Sequence, residues 1–287
     1  MGRAAPPPVK RAARGASRRV GLLTHRSRML PAFLVVGAQR CGTTSLFKGL
    51  IAHPAVLAPA LHKGVHYFDT GYANGPHWYQ GHFPLRATAG RIRRRVGVTP
   101  VTGESSPYYM FHPLAPGRIA RDLPGVRLVA LVRDPVERAY SAHAHERARG
   151  FESEPFERAL ELEHTRLAGQ AHRMAADPSY ESHSHQHHAY LARGRYIEQL
   201  EHLERAVSPE RLLVIDSGDL FADPDAAYER LLAFLGLPWY GSAPFTRHNA
   251  RPRAPMPRRL RARLRDHFEP YDERLAAWLG REPSWRR

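Results

Sequence analysis

The sequence predicts an α/β fold, a P-loop-like three-layer sandwich with a central parallel β-sheet flanked by helices. Short runs rich in Val, Leu and Ile alternate with helical patterns, and strands separated by helices favour a parallel sheet. A glycine-rich turn also joins the first apolar run to the first helical pattern, in FLVVGAQRCGTTSLFKGL. A chain of 287 residues can bury the core of one large domain of this kind.

The strands and helices are placed by apolar periodicity and by the residues that bound each pattern. Strands are predicted at residues 33–36, Arg127–Val132 and residues 211–215. Helices are predicted at Thr43–Ala52, residues 135–149, residues 193–206, Pro224–Leu235 and residues 257–280. Asp134 and Asp223 each precede a proline, which is typical of an N-cap followed by the first helical position.

Two stretches do not fit this alternation. Residues 54–100 are rich in Pro, Gly, His and aromatic residues, which predicts an ordered loop region. Residues 151–190 begin as an amphipathic helical pattern and pass into the histidine-rich SYESHSHQHHAY.

The charge of the chain points to anionic ligands. It has 43 Lys+Arg against 27 Asp+Glu, and Lys10, Lys48 and Lys63 are its only lysines. Arginine forks suit carboxylates, phosphates and sulfates. Nucleic acid is the rival partner for a basic protein, but the arginines are scattered and the aromatic residues form no stacking motif, so no specific nucleic-acid binding is expected.

The N-terminal region and the single cysteine bear on where the protein acts. Residues 1–30 are rich in Arg, Ala and Pro, and we expect a disordered basic leader ahead of one domain at residues 31–287. This leader allows peripheral contact with anionic lipid at most, and no apolar run is long enough for a transmembrane segment. Cys41 is the only cysteine, so a reducing compartment, the cytoplasm, is expected.

The turn after the first strand predicts an anion site. Gly37 and Gly42 have the spacing of a triphosphatase phosphate loop, but Thr43 stands where that loop carries lysine. The amides of residues 39–44 would form a nest at the start of a helix, with Arg40 supplying positive charge. A purely structural turn is the alternative. Cys41 either faces the anion or packs under the turn.

A second motif, LVALVRDPVERAYSAHAHERAR, predicts a second anion site. Arg133 ends a buried strand and Ser141 lies two turns into the next helix. Ligands of open parallel sheets bind beyond the carboxyl ends of the strands, so these two side chains could converge on one anion. Alternatively, Arg133 pairs with Asp134 or Glu137 in a capping network.

These two motifs, in this order, resemble the sulfotransferases that use 3′-phosphoadenosine 5′-phosphosulfate. The resemblance is strongest to the heparan sulfate N- and 3-O-sulfotransferase branch and its bacterial relatives. It extends to HKGVHYFDTGYANGPHWYQGHFP, GESSPYYMFH, ARGRYIEQLEHLERAVSPERLLVIDSGDLFADP and LRARLRDHFEPYDERLAAWLG, and covers roughly residues 32–285.

The resemblance implies a sulfotransferase domain at residues 31–287 and a donor site. In the family the first loop holds the 5′-phosphosulfate, and an arginine and a serine that match Arg133 and Ser141 bind the 3′-phosphate. Arg40 stands where the family has a lysine. The donor-binding residues expected on this basis are Gln39, Arg40, Cys41, Gly42, Thr43, Thr44, Ser45, Arg133, Ser141, Tyr196, Arg251 and Arg253, the last two on a basic lid.

The segment HKGVHYFD is expected to hold the catalytic residues. The 3-O-sulfotransferases carry a catalytic glutamate where this chain has Gly64, whereas Lys63, His66 and Asp69 are retained. We therefore expect His66 to act as the base, since the ordinary pKa of histidine suits that role at neutral pH, with Asp69 orienting it. The cations at Lys63 and Arg40 would stabilise the departing phosphate. Glu104 is the second candidate for the base, and a structural role for His66 is the alternative.

The expected reaction is sulfuryl transfer to a hydroxyl or amine of a glycan, glycolipid or small metabolite, without a metal. Two enzyme-class alternatives stay open: a homologue that binds the donor but has lost catalysis, since Gly64 replaces a glutamate, and a P-loop nucleotide kinase. A further family lysine is often found where this chain has Ser105. The histidines between residues 183 and 188 have no second ligand cluster, so a zinc site is not expected. We expect a substrate-facing or a solvated loop there, since the resemblance implies that this region lines the acceptor cleft.

Overall fold

The computed structural model describes residue 15 and residues 18–60, 63–245 and 254–287. Within these residues, five parallel strands form one sheet in the order β2-β3-β1-β4-β5. The strands are β1 (Phe33–Gly37), β2 (Val56–Leu57), β3 (Val101–Ser105), β4 (Arg127–Val132) and β5 (Leu212–Asp216). The predicted central parallel sheet flanked by helices is confirmed.

The helices that flank the sheet are named here in chain order. They are α1 (Thr43–Ala52), α2 (Gly75–Gln80), α3 (Arg86–Val96), α4 (Ala115–Asp122), α5 (Pro135–Ala148), α6 (Phe156–Leu167), α7 (Gln170–Ala176), α8 (His183–His187), α9 (Tyr196–Glu204), α10 (Ser217–Ala222), α11 (Pro224–Leu235) and α12 (Arg258–Leu279). The side chain of Asp134 accepts from the amide of Val136 at 2.9 Å, and that of Asp223 accepts from the amide of Ala226 at 3.1 Å, so both predicted N-caps are present.

The central strands are buried on both faces, which explains their continuous apolar runs. Leu34 of β1 pairs in register with Leu128 of β4, and Val35 pairs with Val129; all four side chains are fully buried. Phe47 of α1 and residues of α9 and α11 belong to the same apolar core. Burial of this kind contributes about 1.5–3 kcal/mol for each large apolar side chain.

The stretch 54–100, expected to form loops, instead contributes the edge strand β2 and the helices α2 and α3. The reason is that its aromatic residues are core residues. The rings of Tyr67 and Tyr79 stack at 4.6 Å between centroids, and Phe68 and Phe83 are fully buried beside them.

Residues 18–30, which the sequence assigned to the basic leader, pack on this aromatic region. Residues 18–23 are helical, and a Cβ atom added at Gly21 would lie 2.5 Å from the carbonyl oxygen of Gly81. Arg28 forms a β-bridge with Leu85 and donates to the carbonyl of Phe83 at 2.7 Å. These contacts extend the packed part of the chain ahead of residue 31. In the parts of the chain described above, no helix has both the length and the apolar character needed to cross a bilayer.

The topology brings four loops to one edge of the sheet. Because β2, β3, β1 and β4 are neighbours and parallel, the segments after their carboxyl ends lie side by side. These segments carry, in sheet order, Lys63, Ser106, Arg40 and Arg133. The residues singled out in the sequence are therefore collected at the edge where ligands of such sheets bind.

Candidate functional site

The loop between β1 and α1 presents the start of a helix to the site. Gly42 is the N-cap of α1 and has a φ of 95°, in the left-handed region that favours glycine. Arg40 also has a positive φ, 73°, which is uncommon for a residue with a side chain. The first amides of a helix have no partner one turn ahead, and the helix dipole adds positive charge there. This geometry suits an anion, and binding of an anion by the loop stays a prediction.

Cys41 and Tyr196 support this loop from below. Both side chains are buried, and their Sγ and OH atoms lie 3.4 Å apart. Burial raises the pKa of the Cys41 thiol. The amide of Cys41 donates to the carbonyl of Ala38 at 3.2 Å, so within the predicted nest this amide is already used. The structure thus places these two side chains, predicted to bind the donor, in the core beneath the turn, since an apolar thiol and a phenol ring fill the space there.

Arg40 connects the loop to the second motif. Its Nε atom donates to the hydroxyl of Ser141 on α5 at 3.0 Å. Arg133 donates to the carbonyl of Arg40 at 3.5 Å and lies 3.8 Å from Glu137, which also pairs with Arg261 of α12 at 2.5 Å. Arg133 and Ser141, the two residues expected to bind one anion, are therefore linked through Arg40. The alternative pairing of Arg133 with Glu137 is also present.

Lys63 lies on the other side of the loop. Its ammonium group donates to the hydroxyl of Thr44, in the first turn of α1, at 2.8 Å. Burial lowers the pKa of Lys63 to about 8. At neutral pH this side chain is therefore still a cation, placed beside the helix start where an anion would bind.

His66 and Asp69 form a hydrogen-bonded pair. The His66 Nδ1 and Asp69 Oδ2 atoms are 2.8 Å apart; 47% of the His66 side chain is exposed, and that of Asp69 is fully buried. Burial lowers the pKa of His66, but the hydrogen bond and the charge of Asp69 outweigh this, and the net shift is upward. With Nδ1 engaged by the carboxylate, the other ring nitrogen, Nε2, carries the lone pair of neutral histidine.

The Nε2 atom of His66 lies beside Gly64. A Cβ atom added at Gly64 would be 3.4 Å from this nitrogen and 2.6 Å from the carbonyl oxygen of Ser105. His66 also has a positive φ, 56°, and its amide donates to the hydroxyl of Ser106 at 3.0 Å. Such backbone conformations cost energy and concentrate at functional sites. The imidazole thus reaches the space next to the position where the resembling enzymes carry a carboxylate.

Glu104 has a structural environment. Its Oε2 atom accepts from the amide of Val65 and the hydroxyl of Ser106, both at 2.6 Å. Its Oε1 atom accepts from the hydroxyls of Tyr109 at 2.8 Å and Tyr79 at 3.0 Å. Burial raises the pKa of Glu104, although these four donors oppose that shift. Because both oxygens are occupied and the residue is fully buried, the second candidate for the base holds the Lys63–Asp69 loop in place instead.

A cavity of about 290 Å³ joins these groups. It is lined by Gln39, Arg40, Thr43, Thr44, Lys63, His66, Pro107, Tyr108, His145, Arg149, Gln186, His187 and Arg193. Six predicted site residues therefore face one cavity: Gln39, Arg40, Thr43, Thr44, Lys63 and His66. Within this lining there is no carboxylate, so the cavity suits an anionic ligand.

The far wall of the cavity comes from α5, which the sequence analysis did not use beyond Ser141. Ser141, His145 and Arg149 recur at every fourth residue, a spacing that places them on one face of a helix. This spacing from Ser141 could have identified His145 and Arg149 as further site residues from the sequence alone. Behind them, Glu146 is buried and lies 3.0 Å from the Nδ1 atom of His187 and 3.5 Å from Arg149. Burial raises the pKa of Glu146, but the larger opposite effect of His187 and Arg149 gives a net lowering of this pKa. The carboxylate therefore remains charged.

Arg193 closes the same wall and was also missed. It donates to the side-chain oxygen of Gln39 at 2.5 Å and to the carbonyl oxygens of His185 and Gln186 at 3.0 and 2.7 Å. Its guanidinium group lies over the ring of Tyr108, 4.8 Å from the centroid, and burial lowers its pKa to about 10. These four partners come from three separate segments, and Gln39 and Tyr108 are distant from Arg193 in sequence, so local sequence gave no indication of those two contacts.

The histidines of 183–188 are engaged within the fold. The Nδ1 atom of His185 lies 2.8 Å from the Tyr108 hydroxyl, and the Nε2 atom of His188 lies 2.8 Å from the carbonyl of Phe151. His187 lines the cavity. In the described ranges no group of three His, Cys, Asp or Glu side chains could hold a metal ion.

The remaining predicted donor-binding residues divide into two groups. Ser45 is buried in the first turn of α1, and Thr43 and Thr44 face the cavity. Arg251 and Arg253, predicted to form a lid, lie outside the described residues.

Comparisons with known proteins identify the family to which the chain belongs. The family model of the sulfotransferase domain matches residues 30–246. A crystal structure of a sulfotransferase from Alicyclobacillus acidocaldarius superposes with a TM-score of 0.66 and 26% sequence identity, covering 90% of this chain and 100% of that one.

Two human relatives are named as heparan sulfate sulfotransferases. The chain is 31% identical over 218 residues to bifunctional heparan sulfate N-deacetylase/N-sulfotransferase 3, covering 74% of this chain and 23% of the relative. It is 30% identical over 216 residues to heparan sulfate glucosamine 3-O-sulfotransferase 3A1, covering 75% of this chain and 47% of the relative. The chain thus spans about a quarter and about half of these two proteins. On the family match over most of its length, and on the fold that it shares with the Alicyclobacillus acidocaldarius structure, the chain belongs to the sulfotransferase domain family and is a sulfotransferase.

Proposed function

We propose that this enzyme moves the sulfuryl group from 3′-phosphoadenosine 5′-phosphosulfate to a hydroxyl or amine of its acceptor. The observation that carries the proposal is the single cavity in which the helix-start loop, Arg40, Lys63 and His66 meet. Sulfuryl transfer needs a cradle for the phosphosulfate, cations where charge develops, and a base for the acceptor proton, the same requirements as phosphoryl transfer. Each of these is supplied by a different side of this cavity.

The donor would lie across the two loops that follow β1 and β4. The amides at the start of α1 and the guanidinium of Arg40 hold the 5′-phosphosulfate, and Arg133 with Ser141 holds the 3′-phosphate. The hydrogen bond between Arg40 and Ser141 supports this assignment, since it joins the two anion sites through one cation. Arg251 and Arg253 would complete the site as a lid.

The chemical step is an in-line displacement at sulfur. The acceptor oxygen or nitrogen forms a bond to sulfur while the bond from sulfur to the bridging phosphate oxygen breaks, and the acceptor proton passes to Nε2 of His66. Asp69 holds the protonated ring, since its buried carboxylate bonds to Nδ1. Lys63 and Arg40 stabilise the negative charge left on adenosine 3′,5′-bisphosphate. His66 thereby replaces the glutamate that the family carries at the position of Gly64.

The acceptor is assigned by chemical class. The two human relatives are named for action on heparan sulfate, and the cavity wall of His145, Arg149 and His187 offers polar and cationic contacts. A sugar hydroxyl or amine of a glycan or glycolipid fits this wall, and a small hydroxylated metabolite is the remaining class. The single cysteine supports reaction in a reducing compartment, the cytoplasm.

Donor binding is the first test of this proposal. Calorimetric titration of the full chain with adenosine 3′,5′-bisphosphate should show binding that ATP and 5′-AMP do not match, and Arg133→Ala should weaken it by tenfold or more. Equal binding of ATP would refute the donor assignment.

Turnover is tested separately, as release of adenosine 3′,5′-bisphosphate from the donor with a panel of oligosaccharides, glycolipids and phenols. His66→Ala should lower the rate by about 10²–10⁴-fold and leave donor binding intact, whereas His172→Ala, at an exposed histidine of α7, should change neither. A His66→Ala variant that keeps most of its rate would remove His66 as the base.

A further inference from the structure

The positive charge of this chain is concentrated in its first third. Residues 1–100 contain sixteen Lys and Arg and one acidic residue, Asp69, and so carry +15 of the net charge of +16. Asp69 is buried and bonded to His66, so it does not offset this charge at the surface. Three of the sixteen cations, Arg40, Lys48 and Lys63, belong to the loop after β1, to α1 and to the segment after β2. The other thirteen lie in residues 1–30 and in α3.

Two of these basic segments meet in the fold. Arg28 pairs with Leu85 in a β-bridge, and the carbonyl of Arg28 accepts from Nε of Arg86, the first residue of α3, at 3.2 Å. The rings of His25 and His77 stack at 4.1 Å, which holds residues 18–30 against α2. The exposed arginines of this surface are Arg18, Arg19, Arg26, Arg86, Arg91, Arg93, Arg94 and Arg95.

Large apolar side chains are exposed on or directly beside the same two segments. Val20, Leu22 and Leu23 are 54%, 48% and 85% exposed. Leu30 and Leu85, on either side of the β-bridge, are 49% and 37% exposed. These are five of the eight exposed large apolar side chains in the part of the chain that the structure describes. We call these five residues and the eight exposed arginines the leucine–arginine surface.

We propose that the leucine–arginine surface binds the surface of a membrane that contains anionic phospholipid. Clustered arginines are attracted to anionic headgroups, and exposed leucines on a basic helical segment gain by entering the boundary between headgroups and acyl chains. A soluble polyanion, such as a nucleic acid or an acidic glycan, would neutralise the arginines but leave the leucines in water. The combination of both residue types therefore selects a lipid surface.

The test is cosedimentation of the full chain with vesicles of phosphatidylcholine, with and without 30% phosphatidylserine. We expect binding only to the vesicles with phosphatidylserine, and loss of that binding as salt rises to 0.5 M. Arg91→Gln combined with Arg94→Gln should weaken binding by roughly tenfold or more. The matched control, Arg258→Gln with Arg259→Gln, removes the same charge from an exposed turn of α12 and should leave binding unchanged.

The leucines are tested apart from the charge. Leu23→Ser should weaken vesicle binding by about fivefold or more, whereas Ile51→Ser, at an apolar residue of α1 that is 37% exposed, should not. Thermal melting of each variant confirms that it remains folded. Equal binding to both kinds of vesicle, or no binding to either, overturns the proposal. An effect of the arginine variant with none from Leu23→Ser also overturns it, and assigns the surface to a soluble polyanion, which heparin in place of vesicles would then bind.

Discussion

Arg40, in the loop after β1, donates from Nε to the hydroxyl of Ser141, on α5, at 3.0 Å. The sequence assigned these two residues to opposite ends of the donor, to the 5′-phosphosulfate and the 3′-phosphate. Under the proposed donor assignment, this contact means that the two anion sites share a cation. Arg133 strengthens this link because it donates to the carbonyl of Arg40 at 3.5 Å.

This contact predicts coupled losses of donor binding. Arg40→Ala should weaken the binding of adenosine 3′,5′-bisphosphate by about 10–100-fold, because a charged hydrogen-bond donor to phosphate is lost. Ser141→Ala should have a smaller effect, and the double variant should lose less than the two single effects combined, since the residues act as one unit. Calorimetry on the four proteins measures this directly. Strictly additive losses would show that Arg40 and Ser141 act on separate anions.

The elements that the sequence predicted best are those whose environment is simple. Arg127–Val132 and Pro224–Leu235 have the predicted bounds, because a strand buried on both faces reads as a continuous apolar run and a capped amphipathic helix carries its own boundaries. The strand β3, which reads VTGES, was missed. Its Glu104 is fully buried, and the donors that make this tolerable come from Val65, Tyr79 and Tyr109, which only the fold brings together.

The candidate site divides in the same way. Residues carried by local motifs, such as Arg40, Lys63 and His66, line the cavity as expected. Arg193 also lines it, but one contact that holds it there is with Gln39, 154 residues away in sequence. Side chains that meet only through long-range packing leave no spacing pattern to read.

The pKa of His66 predicts the acidic limb of the pH–rate profile. His66 must be neutral to accept a proton, and Asp69 raises its pKa above the usual 6.5. The rate should therefore rise with pH through a value above 6.5. Asp69→Asn removes the charge that raises this pKa, so the limb should move to lower pH. A limb that stays in place in this variant would belong to a group other than His66.

Lys63 predicts the alkaline limb. Burial lowers the pKa of this side chain to about 8, so the cation beside Thr44 is lost as pH rises through that value and the rate should fall. Lys63→Arg supplies a guanidinium that stays charged throughout. The fall near pH 8 should then disappear even if the maximal rate is lower. Persistence of the same limb in Lys63→Arg would assign it elsewhere.

The packing around Gly64 leaves little room for a side chain at this position. A Cβ atom there would lie 2.6 Å from the carbonyl oxygen of Ser105, too close without a shift of backbone. Gly64→Ala should lower the free energy of unfolding by about 1–3 kcal/mol, and Gly64→Glu should not recover a His66→Ala enzyme. Chemical denaturation measures the first effect. Gly117→Ala, with nothing within 4 Å of the added atom, is the control and should be neutral or stabilising. Equal stability of Gly64→Ala and the parent protein would contradict the constraint.

Glu104 predicts that the catalytic loop depends on a carboxylate that does not touch the substrate. Its two oxygens accept from four donors, including the amide of Val65, one residue before His66. Glu104→Gln keeps the shape but turns an NH₂ group toward two of these donors. We expect a loss of about 2–4 kcal/mol in the free energy of unfolding.

The same variant should lower turnover, because the His66 amide bonds to Ser106, which in turn bonds to Glu104. Denaturation and turnover should be measured beside Glu161→Gln, at a glutamate whose ion pair with Arg158 is more than half exposed on both sides; that change should cost less than about 1 kcal/mol. If Glu104→Gln loses turnover with stability unchanged, Glu104 takes part in proton transfer and His66 does not act alone. The charge of Glu104 also raises the pKa of His66, so the acidic limb should move to lower pH in this variant. If stability and turnover fall and the limb moves in this way, Glu104 positions the loop and His66 remains the base.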